Sequence, residues 1–137
     1  MRRGADPVTG ALRVGTDLVQ VSRIAQSIHQ FGDRFVHRLF TADEIAYASS
    51  NPALLAERLA ARFAAKEAAI KALSLSDTGL DWRQIEVQRS ASGHCSLALH
   101  GVARDAAVRA RITELSVSLS HDGDYALAVV VALAEPV

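Results

Sequence analysis

Four charged residues interrupt an alanine-rich stretch in the middle of the chain, and they are the strongest candidates for chemistry. They are Arg62, Lys66, Glu67 and Lys71. Residues four apart share a helix face, so Arg62 lies with Lys66, and Glu67 lies with Lys71 on the neighbouring face. A lysine ammonium suits a phosphate group, and a carboxylate suits a hard divalent cation. Solvated salt links are the simplest alternative, but the flanking alanines are unusual for a face that meets only water.

Two further polar residues stand near predicted strand ends. Asp17 follows Gly15-Thr16 in the first alternating segment. A carboxylate there must be exposed or bound to something, because burying an unpaired charge is costly. His121 ends the segment Ser118–Asp122 at a predicted turn. Taken alone, each is compatible with a simple turn residue. The sequence also lacks a glycine-rich phosphate loop, a dinucleotide-binding turn and a nucleophile elbow.

Hydrophobic periodicity predicts the elements that hold these side chains. Alternation of apolar and polar residues predicts five strands, around Leu12–Leu18, Ile85–Val87, Leu97–Leu99, Leu115–Leu119 and Tyr125–Leu133. Helical spacing and caps predict four helices: one capped by Ser22 and ending at Gly32, one from a Thr41/Glu44 capping box to about Ser49, Ala53–Leu73, and Gly101–Arg111. The order β-α-α-α-β-β-α-β-β indicates an α+β domain, in which a long alanine-rich helix packs on a mostly antiparallel sheet.

Composition limits the classes of partner. The chain has 137 residues, with 15 basic and 15 acidic side chains and a pI near 7.0. This balance predicts neither a nucleic-acid partner nor an anionic membrane surface. The only cysteine, Cys95, cannot form a disulfide within one chain and fits a reducing, cytoplasmic compartment. We expect residues 1–10 to be a flexible tail and residues 11–137 to form a single domain.

Three segments together resemble one family closely. They are Val14–Ile24 (VGTDLVQVSRI), Arg62–Leu73 (RFAAKEAAIKAL) and Ser118–Ala126 (SLSHDGDYA). Their order and spacing are similar to those of the holo-acyl-carrier-protein synthases, the short type of 4′-phosphopantetheinyl transferase. The resemblance covers about residues 11–131, and the central segment is its most specific part. It implies the 4′-phosphopantetheinyl transferase fold, a homotrimer, and active sites in clefts between subunits.

The resemblance also implies an activity and a set of site residues. Such an enzyme transfers the phosphopantetheine arm of coenzyme A to a serine of apo acyl carrier protein, with Mg²⁺ as cofactor. By resemblance, Asp17 and Glu67 hold the metal, and both belong with Lys71 to the catalytic set. Arg62, Lys66, Lys71 and His121 lie around coenzyme A and its phosphates. Arg23 and Arg38 match basic positions that face the acidic carrier protein. Either Glu67 or a water bound to the metal could accept the serine proton.

Two departures from the family pattern leave rival interpretations open. Gln20 stands where members often have an acid, and the segment Ser74–Gly79 has fewer glycines than the family's loop. A non-catalytic relative that binds a carrier protein or a nucleotide is therefore one alternative. A structural subunit of a larger synthase is another. The retained set of Asp17, Glu67, Lys66 and Lys71 favours the enzyme, because a binding module needs no metal pair beside lysines.

Overall fold

Five strands and five α-helices make up the part of the chain that the computed structural model describes, residues 11–75 and 79–136. The strands are β1 (Ala11–Gln20), β2 (Ile85–Arg89), β3 (Cys95–Leu99), β4 (Ile112–Asp122) and β5 (Tyr125–Ala134). The helices are α1 (Val21–Phe31), α2 (Asp33–Leu39), α3 (Ala42–Ser49), α4 (Leu55–Leu73) and α5 (Gly101–Arg109). The predicted tail, residues 1–10, and the central residues 76–78 of the Ser74–Gly79 segment lie outside the described ranges.

Every strand pairing is antiparallel. β5 lies between β1 and β4 in a three-stranded sheet, and β2 pairs with β3 in a separate hairpin. Alternate residues of β5 are buried, from Ala126 to Ala134, and α4 packs on this face and on β1. The predicted α+β class, with a long alanine-rich helix on a mostly antiparallel sheet, is confirmed.

The close contact between α4 and β1 depends on very small residues. Ala64 and Ala68 of α4 are fully buried, as is Ala128 of β5. A Cβ atom added to Gly15 of β1 would lie 2.0 Å from the carbonyl oxygen of Ala68 and 2.8 Å from the nitrogen of Ala72. Only glycine fits there, because real Cβ atoms do not approach backbone atoms so closely. The glycine therefore lets α4 lie directly against the first strand.

Local chemistry explains where the predicted elements are right and where they are wrong. The Thr41/Glu44 capping box of α3 is present as predicted. The predicted cap of α1 by Ser22 is wrong, because α1 begins at Val21 and the Ser22 hydroxyl donates instead to Asp124, at 2.6 Å. α2 was not predicted, since Gly32 separates it from α1 by a single residue. No helix in the described ranges is both long and apolar enough to cross a membrane.

Candidate active site

The strand alternation and the α4 packing bring Asp17, Glu67 and Lys71 together. Asp17 is two residues after Gly15 on β1, so both point to the sheet face that α4 covers. The Lys71 Nζ lies 3.2 Å from Asp17 Oδ1 and donates to the carbonyl oxygen of Thr16 at 2.9 Å. Two acids that are fifty positions apart in the chain thus lie beside one lysine at the edge of the α4–β1 contact.

The electrostatics of Glu67 show how near the two carboxylates are. Partial burial raises the pKa of Glu67, and the negative charge of Asp17 raises it further, while the Lys71 ammonium lowers it by a smaller amount. A second carboxylate raises a pKa only when it is close enough for the two charges to repel each other. The site therefore holds two acids whose simultaneous ionisation a nearby cation would stabilise.

The donor set of this cluster fits a magnesium ion. Within residues 11–75 and 79–136, no three side chains of the types His, Cys, Asp and Glu converge as a ready-made metal cage. Mg²⁺ does not need such a cage, because it keeps several waters and is often bound by one or two carboxylates together with substrate phosphates. Asp17 and Glu67 supply two hard oxygen donors, and the charge repulsion on Glu67 is the kind that a divalent cation relieves.

A second cluster lies toward the other end of α4. Arg62 and His121, which were both predicted to contact coenzyme A, line one cavity of about 390 Å³. Arg62 is buried, while His121 is exposed and its Nδ1 lies 3.6 Å from a Glu57 carboxylate oxygen. His121 was predicted to stand in a turn but belongs to the end of β4.

Lys66 does not face a substrate cavity in this chain. Its side chain is fully buried, and its ammonium donates to Glu44 Oε1 at 2.9 Å and to the carbonyl oxygens of Trp82 and Ile85. These three acceptors use all three donors of the ammonium. The contact of Lys66 with coenzyme A stays a prediction, and in this structure the residue ties α4 to α3 and to the start of β2.

The two predicted carrier contacts are both exposed, but they lie on different helices. Arg23 lies on α1 and Arg38 lies on α2. Arg38 lines an open cavity with Arg34, Phe31 and Phe35. This part of the surface therefore combines basic and aromatic side chains around Arg38.

Comparison with known proteins identifies the family. A sequence profile of the 4′-phosphopantetheinyl transferase superfamily matches residues 13–130. This chain belongs to that superfamily. The holo-[acyl-carrier-protein] synthase of Koribacter versatilis is 45% identical over 121 residues, which cover 88% of this transferase chain and 96% of the relative. The corresponding synthase of Herpetosiphon aurantiacus is 41% identical over 129 residues, covering 89% of this chain and 98% of the relative.

A solved structure agrees with the sequence comparison. The ACPS–CoA complex of Chronobacterium ammoniagenes superimposes on this transferase with a TM-score of 0.80 and 34% identity, covering 93% of this chain and 99% of that one. The predicted family resemblance and its fold are confirmed by these matches.

Three residues around the second cluster were missed from the sequence. Tyr47 of α3, Arg58 of α4 and Arg89 of β2 lie beside Arg62 and line the same cavity. Arg58 is one turn before Arg62, and this four-residue spacing was an available signal. No signal in the sequence connects Arg89 or Tyr47 with this cavity, because both approach it from other elements.

Proposed function

We infer that this transferase moves the 4′-phosphopantetheine arm of coenzyme A to a serine of apo acyl carrier protein. The products are holo carrier protein and adenosine 3′,5′-bisphosphate. One observation carries this inference: a member of this superfamily presents Asp17, Glu67 and Lys71 as one cluster at the edge of the α4–β1 contact. The names of the curated relatives and the coenzyme A complex of a relative support the same reaction.

The reaction exchanges one phosphorus–oxygen bond for another. The serine oxygen attacks the phosphorus that bears the pantetheine arm, and the bond from that phosphorus to the oxygen of the nucleotide 5′-phosphate breaks. When bound at Asp17 and Glu67, Mg²⁺ would neutralise negative charge on the pyrophosphate, which otherwise repels the incoming oxygen. The serine proton leaves to Glu67 or to a water. The raised pKa of Glu67 belongs to the metal-free site, and a cation bound to the carboxylate would lower it.

Basic residues of the chain would pair with the remaining negative charges of coenzyme A and of the carrier protein. The Lys71 ammonium is half exposed, so it can pair with Asp17 and still meet the departing 5′-phosphate. Arg62 and His121 would contact other parts of coenzyme A from the neighbouring cavity. Arg23 and Arg38, both exposed, are proposed to meet the acidic carrier protein. Opposite charge would speed that encounter.

Self-association is part of this proposal. The face of the three-stranded sheet that α4 does not cover carries Leu12, Val14 and Leu18 of β1, which are 76%, 67% and 61% exposed, and Leu127 and Val131 of β5. Paired strands make these residues one continuous patch, and such a patch on a small domain favours an interface. Two further copies of this chain would cover it in a homotrimer. We propose a cytoplasmic location, which the single cysteine supports.

The test is a mass measurement of arm transfer. Apo carrier protein, coenzyme A and Mg²⁺ are incubated with the wild type, with Asp17→Asn or with Glu67→Gln. The wild type should add one phosphopantetheine per carrier protein. Each variant should lose on the order of a hundredfold or more in rate, because one metal carboxylate stabilises the transition state by several kcal/mol.

A matched control distinguishes the loss of a metal ligand from the loss of one negative charge anywhere on the surface. Asp105 of α5 is exposed, and Asp105→Asn should transfer the arm at the wild-type rate. Near-native rates for both Asp17→Asn and Glu67→Gln would exclude the metal assignment. A wild type that modifies no carrier protein would exclude the reaction and favour a non-catalytic relative.

A further inference from the structure

The tip of the β4–β5 hairpin lies against the start of helix α1. Asp122 of β4 pairs with Tyr125 of β5, which leaves Gly123 and Asp124 as the loop. Gly123 has a φ of +56°, and a two-residue loop that begins with glycine in this conformation is a common tight hairpin turn. Gln20, the last residue of β1, also pairs with Tyr125. The chain therefore enters α1 directly beside Asp124.

Asp124 forms hydrogen bonds with the first two residues of α1. The Val21 nitrogen donates to the Asp124 carbonyl oxygen at 2.7 Å. The Ser22 nitrogen donates to Asp124 Oδ1 at 3.0 Å, and the Ser22 hydroxyl donates to Oδ2 at 2.6 Å. The bond from the Ser22 hydroxyl lowers the pKa of Asp124, and the Ser22 nitrogen and the Gln20 side chain lower it further, while desolvation opposes them. The carboxylate is therefore ionised at neutral pH.

Helix α1 receives its cap from outside its own segment. Within the described ranges, the side chain of its N-cap residue, Gln20, makes no capping hydrogen bond, and the first turn of α1 contains no acid. The first N–H groups of a helix lack partners in the helix, and a negative charge near them is stabilising. Asp124 accepts hydrogen bonds from two of these groups and brings a negative charge to this end. A residue 102 positions from Ser22 thus caps the helix.

One buried side chain holds the body of α1. Among the 11 residues of this helix, Ile24 alone is buried, at 5% exposure. Val21 and Ile28 are partly buried against the same core. Packing therefore holds the middle of the helix even without Asp124. The first turn, which contains the exposed Arg23, depends on the cap.

The capped turn lies between two parts of the proposed site that must act on the same carrier protein. Arg23 follows Ser22 and is proposed to contact the carrier. Asp17 precedes Ser22 by five residues, on β1, and is proposed to hold the metal. A carrier protein held by Arg23 must present its serine at the metal pair. The direction of the first turn of α1 therefore decides whether Arg23 holds the carrier where its serine can react.

We propose that Asp124 is a positioning residue for the carrier protein, because it caps α1 and thereby fixes Arg23 relative to the Asp17–Glu67 pair. This inference rests on the proposed function for the reaction and for the role of Arg23. Asp124 acts through the first turn of α1 and touches neither substrate. Its removal should weaken the use of carrier protein and spare that of coenzyme A.

The experiment measures arm transfer by Asp124→Ala with each substrate varied in turn. We expect kcat/KM for apo carrier protein to fall roughly tenfold through a higher KM, the effect expected of a lost helix cap. The KM for coenzyme A should stay the same. A variant that had merely lost folded protein would show a lower kcat and unchanged KM values for both substrates. Asp105→Ala, at an exposed aspartate of α5, is the control and should behave as the wild type.

Two milder variants should give graded effects. Asp124→Asn keeps an Oδ1 acceptor for the Ser22 nitrogen and should retain most of the wild-type kcat/KM for carrier protein. Ser22→Ala removes the hydroxyl bond but keeps the nitrogen bond, so its loss should be smaller than that of Asp124→Ala.

A double-mutant cycle tests whether Asp124 acts through Arg23. Residues that act as one unit give losses that do not add. Arg23→Gln should itself reduce kcat/KM for carrier protein, and adding Asp124→Ala to it should cause little further loss. If the two losses multiply in the double variant, or if Asp124→Ala keeps the wild-type kcat/KM for carrier protein, the inference is overturned while the reaction stands. If Asp124→Ala does not fold, the same cycle with Ser22→Ala decides.

Carrier binding separates failure of this inference from failure of the proposed function. Fluorescence anisotropy of labelled apo carrier protein, without coenzyme A or metal, gives the Kd for the wild type, Asp124→Ala and Asp105→Ala. The wild type and Asp105→Ala should bind alike, and Asp124→Ala should bind about tenfold more weakly. This pattern without arm transfer by the wild type would keep the positioning role and exclude the reaction. Equal affinity in all three proteins would overturn the positioning role, whether or not the arm is transferred.

Discussion

The two lysines of α4 that flank Glu67 show how position on a helix decides the role of a charge. The Lys71 side chain is 53% exposed and lies beside Asp17, so its ammonium can meet a substrate. The Lys66 side chain is completely buried and lies between Glu44 and two backbone carbonyls. Burial lowers the pKa of Lys66, and the Glu44 charge opposes this shift. The same residue type is therefore accessible to a substrate at one position and holds elements of the fold together at the other.

Breaking the buried pair at Lys66 should be costly. Lys66→Met leaves the Glu44 charge buried without its partner, which should lower the free energy of unfolding by about 3–5 kcal/mol. The double variant Glu44→Gln/Lys66→Met removes both charges and should recover part of that loss. Urea denaturation measures both effects. Lys71→Met is the matched control and should cost less than about 1 kcal/mol, because its ion pair is exposed. Equal losses for Lys66→Met and Lys71→Met would contradict the structural role of Lys66.

Glu67 should make the metal-free protein less stable as the pH rises. Because burial and the Asp17 charge raise its pKa in the folded state, the folded protein binds this proton more tightly than the unfolded chain does. Its contribution to stability is then fully present below the pKa of the unfolded chain. It is lost as the pH rises through the folded pKa. In chelator, Glu67→Gln should therefore unfold at a higher temperature than the wild type at pH 7, and the difference should disappear in acid. A lower unfolding temperature of Glu67→Gln at pH 7 would refute this account of the site.

At the scale of the elements, the approach of α4 to β1 positions the whole cluster. Gly15→Ala would place a Cβ atom 2.0 Å from the carbonyl oxygen of Ala68, which is backbone and cannot rotate away. The helix must move off the strand, and we expect a loss of about 1–3 kcal/mol in stability, as for other overpacked cores. Arm transfer should fall as well, because Asp17 and Glu67 then separate. Thermal unfolding and the transfer assay measure the two effects.

A small substitution at a solvent-exposed strand position provides the control for Gly15→Ala. Ser96 of β3 is exposed, so Ser96→Ala should change neither stability nor transfer. Retention of both properties by Gly15→Ala would show that the α4–β1 contact tolerates an extra methyl group. The element-scale explanation of the cluster would then be wrong.

How well the elements could be predicted from the sequence depends on whether their signals are local. The capping box at Thr41 and Glu44 is a contact between near neighbours, so the sequence reveals it. Serine is a common helix cap, yet Ser22 forms hydrogen bonds with Asp124, which is 102 positions away. A contact between such distant residues leaves no local pattern in the sequence. The same distinction between local and distant contacts applies to the residues of the candidate site. The α4 spacing gives Glu67 beside Lys71, whereas the burial of Lys66 and the convergence of Arg89 on Tyr47 arise only from tertiary packing.

At the scale of the whole molecule, the uncovered sheet face should decide whether the protein works as a single chain. Val14 of β1 is 67% exposed and pairs with Val131 of β5 near the middle of that face. If copies of the chain cover it, Val14→Lys would bury an unpaired ammonium at the interface, at a cost of several kcal/mol per copy. Light scattering should then report three times the 14.6 kDa chain mass for the wild type and a single chain mass for Val14→Lys.

Activity should follow the oligomeric state, because the proposed active sites lie in clefts between subunits. Val14→Lys should therefore lose arm transfer although it lies outside the Asp17–Glu67 cluster. Val108 has nearly the same exposure, 66%, but belongs to helix α5 and not to the uncovered sheet face, so Val108→Lys is the matched control and should remain trimeric and active. A wild type that scatters as a single chain and still transfers the arm would exclude the trimer and leave the reaction in place. An active, monomeric Val14→Lys would show that each subunit completes its own site.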